Sequence, residues 1–328
     1  MIIVSALQTA GGLGLLLFGG EVLLRGAVGL AERFGLSKLL IGLTVVAAAT
    51  SMPELVVVVA TGLEGVPDVG VGNVIGSNIA NILLILGAGA VLFPIATRPR
   101  DCLRDGLAVV FASVLFTVFA LLGEIYWIHG VVMLALLVGY MAYSYRSERT
   151  GKRGNGAPEG NGNEEEDDGA EAPKQGLLAS LALVVVGVAT LVIGSELLIR
   201  GSVDIARAIG VSEAVIGLTL VAVGTSLPEL ATAIVAGLRH HTEVALGNVL
   251  GSNLFNILAV LAALTFTLPF EVAAEMMDFD IWVMLGVSLI LMPVMVTGWR
   301  IGRVEGALFL ILYAVFIGVQ FQSTAFAG

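Results

Sequence analysis

The stretch IGLTVVAAATSMPEL (Ile41–Leu55) decides the fold, because it returns as IGLTLVAVGTSLPEL (Ile216–Leu230). A second stretch, GNVIGSNIANIL (Gly72–Leu83), returns as GNVLGSNLFNIL (Gly247–Leu258) at the same offset of 175 residues. The register reaches back to Glu21 and Arg25, which pair with Glu196 and Arg200, and no gap is needed between. The chain therefore contains one unit twice. What the two copies keep is polar: Thr, Ser, Pro, Glu and Asn, set inside apolar runs. A duplication kept for shape alone has no need of such residues, which are costly in lipid and usually serve a function there.

The surroundings of the repeat are apolar. Of 328 residues, 57% are hydrophobic and 13% charged, with a mean hydropathy of +0.99. Soluble domains carry about 25% charged residues, so this chain needs lipid as its solvent. Its 42 glycines fit the same reading, since Gly is frequent in membrane helices. A template of about 20 apolar residues per span predicts about ten spans, near 3–23, 39–61, 72–95, 104–123, 126–145, 176–198, 214–237, 245–268, 279–297 and 304–322. The first run lacks a basic segment before it, Arg25 coming after, and reads as a retained helix. The expected fold is an all-α membrane protein of about ten transmembrane helices in two inverted five-helix repeats. Residues 1–145 form the first repeat, 146–175 a linker, and 176–328 the second. Five spans per half is odd, so the halves lie in opposite orientations. Inverted repeats with interrupted helices place a transporter's substrate site near the bilayer midplane.

Much of the net charge of -10 sits in one stretch of the linker, NEEEDDGAE (Asn163–Glu171), which holds six acids and no base. That composition cannot bury enough apolar area to fold alone, and it lacks the spacing of an EF-hand loop. No basic surface points to nucleic acid, and the single Cys102 excludes an internal disulfide or a cysteine-built metal site. With the N-terminus outside and spans alternating, fourteen of the sixteen Lys and Arg fall inside, leaving Arg200 and Arg207 outside. The positive-inside rule then puts both termini outside the plasma (inner) membrane and the linker in the cytoplasm. His240 and His241 fall in a short cytoplasmic loop; regulation by them or by the acidic linker stays open.

Glu54 and Glu229 lie deep in apolar runs, and no Lys or Arg sits at comparable depth to neutralise them. Their counter-charge must be a bound cation or a proton. Thr50 and Glu54, four apart, share a helix face, with Ser51 beside them. Ser77 and Asn81 share a face on the next helix. The second half supplies Thr225, Ser226, Glu229, Ser252 and Asn256 in the same pattern. All offer oxygen, and none offers sulfur or imidazole, which suits a hard cation such as calcium. Pro53 and Pro228 each remove a backbone donor. The carbonyls upstream, with Ala47 and Ala222 as candidates, then either line a polar cavity or are satisfied as in an ordinary proline kink. Asn78 and Asn253 either bond the broken helices of the facing half or back up the ligands. The paired motifs G-N-V-I-G and G-N-V-L-G have the small-xxx-small spacing that lets backbones approach. Glu21–Arg25 and Glu196–Arg200 have the spacing of local ion pairs. The spans hold no His, Cys or Asp constellation that would serve an intramembrane enzyme, and a calcium channel would need a continuous pore.

These paired motifs resemble the two alpha repeats of the calcium/cation antiporter superfamily, and among its members the prokaryotic sodium/calcium exchangers. The resemblance covers nearly the whole chain. It implies ten helices, alternating access, and a pair of long helices (the first and sixth) sliding against a fixed core. It also implies a diamond-shaped cluster of four cation sites. Carried over by position, the side-chain ligands are Thr50, Ser51, Glu54, Ser77, Thr225, Ser226, Glu229 and Ser252. Asn81 and Asn256 match the remaining polar positions, and Ala47 and Ala222 the backbone-carbonyl ligands. The implied function is secondary antiport of calcium against sodium, with no cofactor, by a chain that holds both halves and is expected to work as a monomer in the lipid bilayer. One position departs: where Asn256 stands, well-described sodium/calcium members carry Asp. Proton-coupled relatives also rely on two central glutamates, so calcium/proton antiport is the alternative.

Overall fold

The computed structural model describes residues 2–97, 99–154, 176–209 and 224–326, and nearly all of them are helical. In chain order the helices are α1 (Ile2–Phe34), α2 (Lys38–Thr50), α3 (Met52–Leu63), α4 (Pro67–Leu92), α5 (Pro99–Leu122) and α6 (Trp127–Gly154). The second half holds α7 (Leu177–Ala208), α8 (Leu227–Leu238), α9 (Thr242–Thr265), α10 (Met276–Trp299) and α11 (Arg303–Phe326). Among the described residues, eight helices are long and apolar enough to cross a membrane, or nine if the bent pair α2–α3 counts as one span. In repeat register α8 is the counterpart of α3. In the same register residues 213–225 correspond to α2, and of these 213–223, with Ala222, lie outside the described residues, as do residues 155–175 of the linker.

Helices run past several predicted span ends. α1 has 33 residues and α7 has 32, about 50 Å each at 1.5 Å per residue, against a hydrocarbon core of about 30 Å. Hydropathy marks the part in lipid, whereas the helix continues through good helix formers such as the GLAERF that ends α1. α6 likewise continues to Gly154, inside the predicted linker.

Burial separates a core from a periphery. The most apolar windows of α4 and α9 are 78% and 89% buried, while those of α1, α7 and α6 are 22% buried. The two central helices are therefore α4 and α9, the ones that carry the G-S-N motifs. α9 crosses α2 backbone to backbone: a Cβ on Gly247 would stand 2.3 Å from the Leu39 carbonyl oxygen, and one on Gly251 2.3 Å from that of Leu43. The glycine spacing read from the sequence is used here for close approach. α1 and α7 cross antiparallel with the same device. Added Cβ atoms on Gly12, Gly19 and Gly26 would each come within 3 Å of α7 backbone, and those on Gly187, Gly194 and Gly201 within 3 Å of α1 backbone.

The halves keep the offset of 175 in their contacts. Ser113 and Ser288, 175 apart, share a hydrogen bond of 3.1 Å, as two equivalent residues do when they meet on a two-fold axis. Strand β1 (Ile95–Ala96) pairs antiparallel with β2 (Arg300–Ile301), and Ile125 bridges Phe270, a related pairing with the halves exchanged and the register shifted by one residue. One contact breaks the symmetry. α1 packs along α8, burying Ala231 and Val235. α7 makes no comparable contact with α3, where the counterpart of Ala231, Val56, is 66% exposed against 6%.

Candidate functional site

The site begins at a backbone break. α2 and α3 meet at 43°. Pro53 has no N–H, so the helical ladder loses a bond there, and Ser51 takes φ -81°, ψ 5°. Ser226, before α8 and Pro228, adopts φ -87°, ψ 4°. This sparsely populated bridge conformation recurs at functional sites. The glutamate follows three residues later in each half, in the first turn of α3 or α8. The Ala47 carbonyl is not the one that proline releases. It accepts from Ser51 N at 3.0 Å and from Thr50 Oγ1 at 3.4 Å.

A second irregularity lies on the core helices. Asn81 opens a π-helical turn, Asn81–Leu86, and Asn256 opens another, Asn256–Val260. Such turns free backbone groups and gather at functional sites. They occupy equivalent places, directly after the two G-S-N motifs.

Side chains from both halves converge. Thr50 Oγ1 donates to Asn248 Oδ1 at 3.1 Å and stands 3.5 Å from Ser252 Oγ. Asn73 Nδ2 donates to Thr225 Oγ1 at 3.4 Å. Asn81 Nδ2 donates to Asn253 Oδ1 at 3.0 Å, and Asn253 Nδ2 to the Asn78 carbonyl at 3.4 Å. In these contacts neither Asn78 nor Asn253 bonds a broken helix: Asn253 joins the other core helix and holds the candidate ligand Asn81, while the Asn78 side chain donates to the Val74 carbonyl of its own helix at 2.7 Å. The Glu54 carboxylate feels the charge of Glu229 and has the Thr225 hydroxyl beside it, and Glu229 has that of Thr50. Thr50, Ser51, Glu54, Ser77, Asn81, Ser226, Glu229, Ser252 and Asn256 are all buried, and Thr225 is half-buried.

The cluster is rich in polar atoms without hydrogen-bond partners among the described residues. Both carboxylate oxygens of Glu54 and of Glu229 make no hydrogen bond among the described residues; nor do the hydroxyls of Ser51, Ser77 and Ser226, the Asn81 carbonyl oxygen or either amide atom of Asn256. The great majority of buried polar atoms find a partner. Here they are concentrated on the side chains that the repeat preserves. The donor set is two carboxylates with neutral oxygens, and among the described residues no group of three or more His, Cys, Asp or Glu could hold a metal ion. Such a set suits a hard cation that enters and leaves more than a resident softer metal.

The comparisons follow the same division into halves. The sequence matches the Sodium/calcium exchanger protein family over residues 4–146 and 179–322, two segments whose starts differ by the repeat offset. The chain belongs to the sodium/calcium exchanger family. It is 33% identical to the sodium/calcium exchanger MaX1 of Methanosarcina acetivorans over 98% of this chain and 99% of that protein. It is 34% identical to the inner membrane protein YrbG of Escherichia coli over 88% of each. A structure of the sodium-calcium exchanger NCX_Mj soaked with zero sodium and calcium superimposes with a TM-score of 0.81 at 31% identity, covering 98% of this chain and all of the other. Sodium/calcium exchanger family members are membrane transporters, so the chain is a transporter and not an enzyme, and the ten-helix inverted-repeat fold is the family's.

Two polar residues of the cluster, Asn73 and Asn248, had no role in the sequence reading, although both stand in the repeated G-N-V-x-G. The signal was there: an asparagine kept twice in an apolar run. His241 does not join the site. It lies half-buried at the start of α9. Burial, helped by the nearby Lys38 charge, holds its pKa below the usual histidine value.

Proposed function

We propose that the protein exchanges calcium for sodium by alternating access, with the cation held between Glu54 and Glu229. The observation that carries this reading is the pair of fully buried carboxylates, neither with a hydrogen-bond partner among the described residues and both surrounded by oxygen. Two carboxylates balance the charge of one calcium ion. Thr50, Ser51, Ser77, Asn81 and their counterparts Thr225, Ser226, Ser252 and Asn256 supply neutral oxygens toward the six to eight that calcium takes. Backbone carbonyls of Ala47 and Ala222 complete the set. Sodium competes for the same oxygens. The emptied, doubly charged cluster is costly in a low dielectric, which opposes switching without cargo and makes the cycle an exchange.

Alternating access is supported by the asymmetry of the two long helices. α1 is closed against α8, while α7 stands off α3. On the topology that the Lys and Arg distribution predicts, the closed side is cytoplasmic and the open side extracellular. Exchanging these two contacts, which the inverted repeat makes near-equivalent, turns the site to the other face.

A second reading, calcium/proton antiport, is favoured by Asn256, which leaves the cluster with two carboxylates. The test is calcium-45 uptake into proteoliposomes under an outward sodium gradient, an outward proton gradient, or neither. Uptake with sodium inside alone supports sodium coupling. Uptake with the proton gradient alone moves the protein to proton coupling. Uptake with neither would mean a channel.

A further inference from the structure

The two threonines of the cluster are each met by an asparagine from the other half. Thr50 Oγ1 donates to Asn248 Oδ1 at 3.1 Å, and Asn73 Nδ2 donates to Thr225 Oγ1 at 3.4 Å. In repeat register Thr225 is the counterpart of Thr50 and Asn248 that of Asn73, so one contact is made twice. Asn248 is fully buried. It sits on α9 between Gly247 and Gly251, whose close crossing of α2 fixes its distance from Thr50.

The chemistry of a hydroxyl explains the contact. It has one proton and two acceptor lone pairs. To ligate a cation it must turn a lone pair inward, and so send its proton elsewhere. Around Thr50 the acceptors are Asn248 Oδ1 at 3.1 Å, the Ala47 carbonyl at 3.4 Å, Ser252 Oγ at 3.5 Å and the neighbouring Glu229 carboxylate. Ser252 and Glu229 are themselves turned to the cation in the reading above. The Ala47 carbonyl already takes the Ser51 N–H. Asn248 Oδ1 is the nearest of the first three, and it has no other role in the cluster.

We infer that Asn248 is a positioning residue for transport: it takes the Thr50 hydroxyl proton and thereby presents the hydroxyl's lone pairs to the cation. Asn73 donates to Thr225 from the other half, so there the hydrogen bond runs the opposite way. The break between α2 and α3 and the residues just before α8 are thus each met by an asparagine of the opposite repeat. The inference rests on the calcium-exchange reading.

The test is a double-mutant cycle on the full chain in sodium-loaded proteoliposomes, reading the calcium KM and the maximal rate of calcium-45 uptake. Asn248→Leu keeps the shape and removes the acceptor. It is expected to raise the calcium KM about three- to tenfold, the scale of one lost hydrogen bond, with a smaller change in maximal rate. Thr50→Ala is expected to raise it similarly. The double variant is expected to match Thr50→Ala alone, because Asn248 acts through Thr50. A packing role for Asn248 would instead multiply the two effects, and that outcome overturns the inference. If Asn248→Leu yields no folded protein, Asn248→Ser, too short to reach Thr50, replaces it and the cycle is read the same way. Asn248→Asp keeps the acceptor, so a KM raised as in Asn248→Leu also overturns the inference. Wild-type protein that takes up no calcium under any gradient overturns the exchange reading and this inference together. Wild-type uptake with a multiplicative cycle overturns this inference alone.

Discussion

Glu21 of α1 and Arg239 at the end of α8 form an ion pair with an N–O distance of 2.8 Å, bridging 218 residues of chain, and Glu21 also holds Arg25 at 2.7 Å. In repeat register Glu196 and Arg200 match Glu21 and Arg25, but Arg239 is matched by Glu64. The side where α1 meets α8 therefore carries an attractive pair that the opposite side replaces with two acids. Charge and packing break the two-fold symmetry in the same sense.

Arg239→Gln is expected to loosen that closure. Arg239 is about half exposed, so the pair contributes on the order of 0.2–1 kcal/mol, a shift of up to about fivefold in the balance of conformations. Reactivity of a cysteine placed at Ala231, in a Cys102→Ser background, reads it. Faster labelling in Arg239→Gln is the expected result, and an unchanged rate removes the lock.

Calcium should stabilise the wild-type protein in detergent. A ligand at 100 times its Kd adds about 2.7 kcal/mol, enough to raise Tm by several degrees. The Glu54→Gln, Glu229→Gln variant should melt at or above the calcium-free wild type, since two buried carboxylates are gone, and calcium should leave its Tm unmoved. A calcium-dependent rise in the variant places the cation elsewhere.

Asn256→Asp adds a third carboxylate to the cluster. Asn256 is fully buried, with both amide atoms free of partners among the described residues, so the change needs no rearrangement. The variant is expected to move more sodium per calcium, seen as stronger dependence of calcium-45 uptake on membrane potential. Identical potential dependence in the two proteins would exclude Asn256 from the ion path.

The crossing of α9 over α2 makes a packing prediction. Gly251→Val must displace backbone at 2.3 Å and should destabilise by about 1–3 kcal/mol or more. Gly14→Ala, where a Cβ meets nothing within 4 Å, should be neutral or slightly stabilising. Thermal unfolding of both in one detergent decides it.

Much of this architecture was legible because the bilayer forces it. Long apolar runs, an odd number per half and a gapless repeat left few arrangements open. Glu54 and Glu229 stood out because carboxylates in lipid need a reason. Other features carry no such mark. The π-helical turns at Asn81 and Asn256 are changes of backbone register within ordinary apolar sequence. Glu21 had a ready partner four residues away in Arg25, which hid its pairing with the distant Arg239. Asn73 and Asn248 sat between glycines whose packing role was sufficient to explain the motif. Only the crossing of α9 over α2 brings Asn248 to Thr50.

The most direct test of the central claim is calcium-45 uptake by the Glu54→Gln, Glu229→Gln protein beside wild type, both reconstituted with sodium inside. The account predicts uptake by the wild type and none by the variant, with equal amounts of folded protein in the vesicles. Robust uptake by the variant would contradict it, because no other pair of buried carboxylates among the described residues faces this cluster.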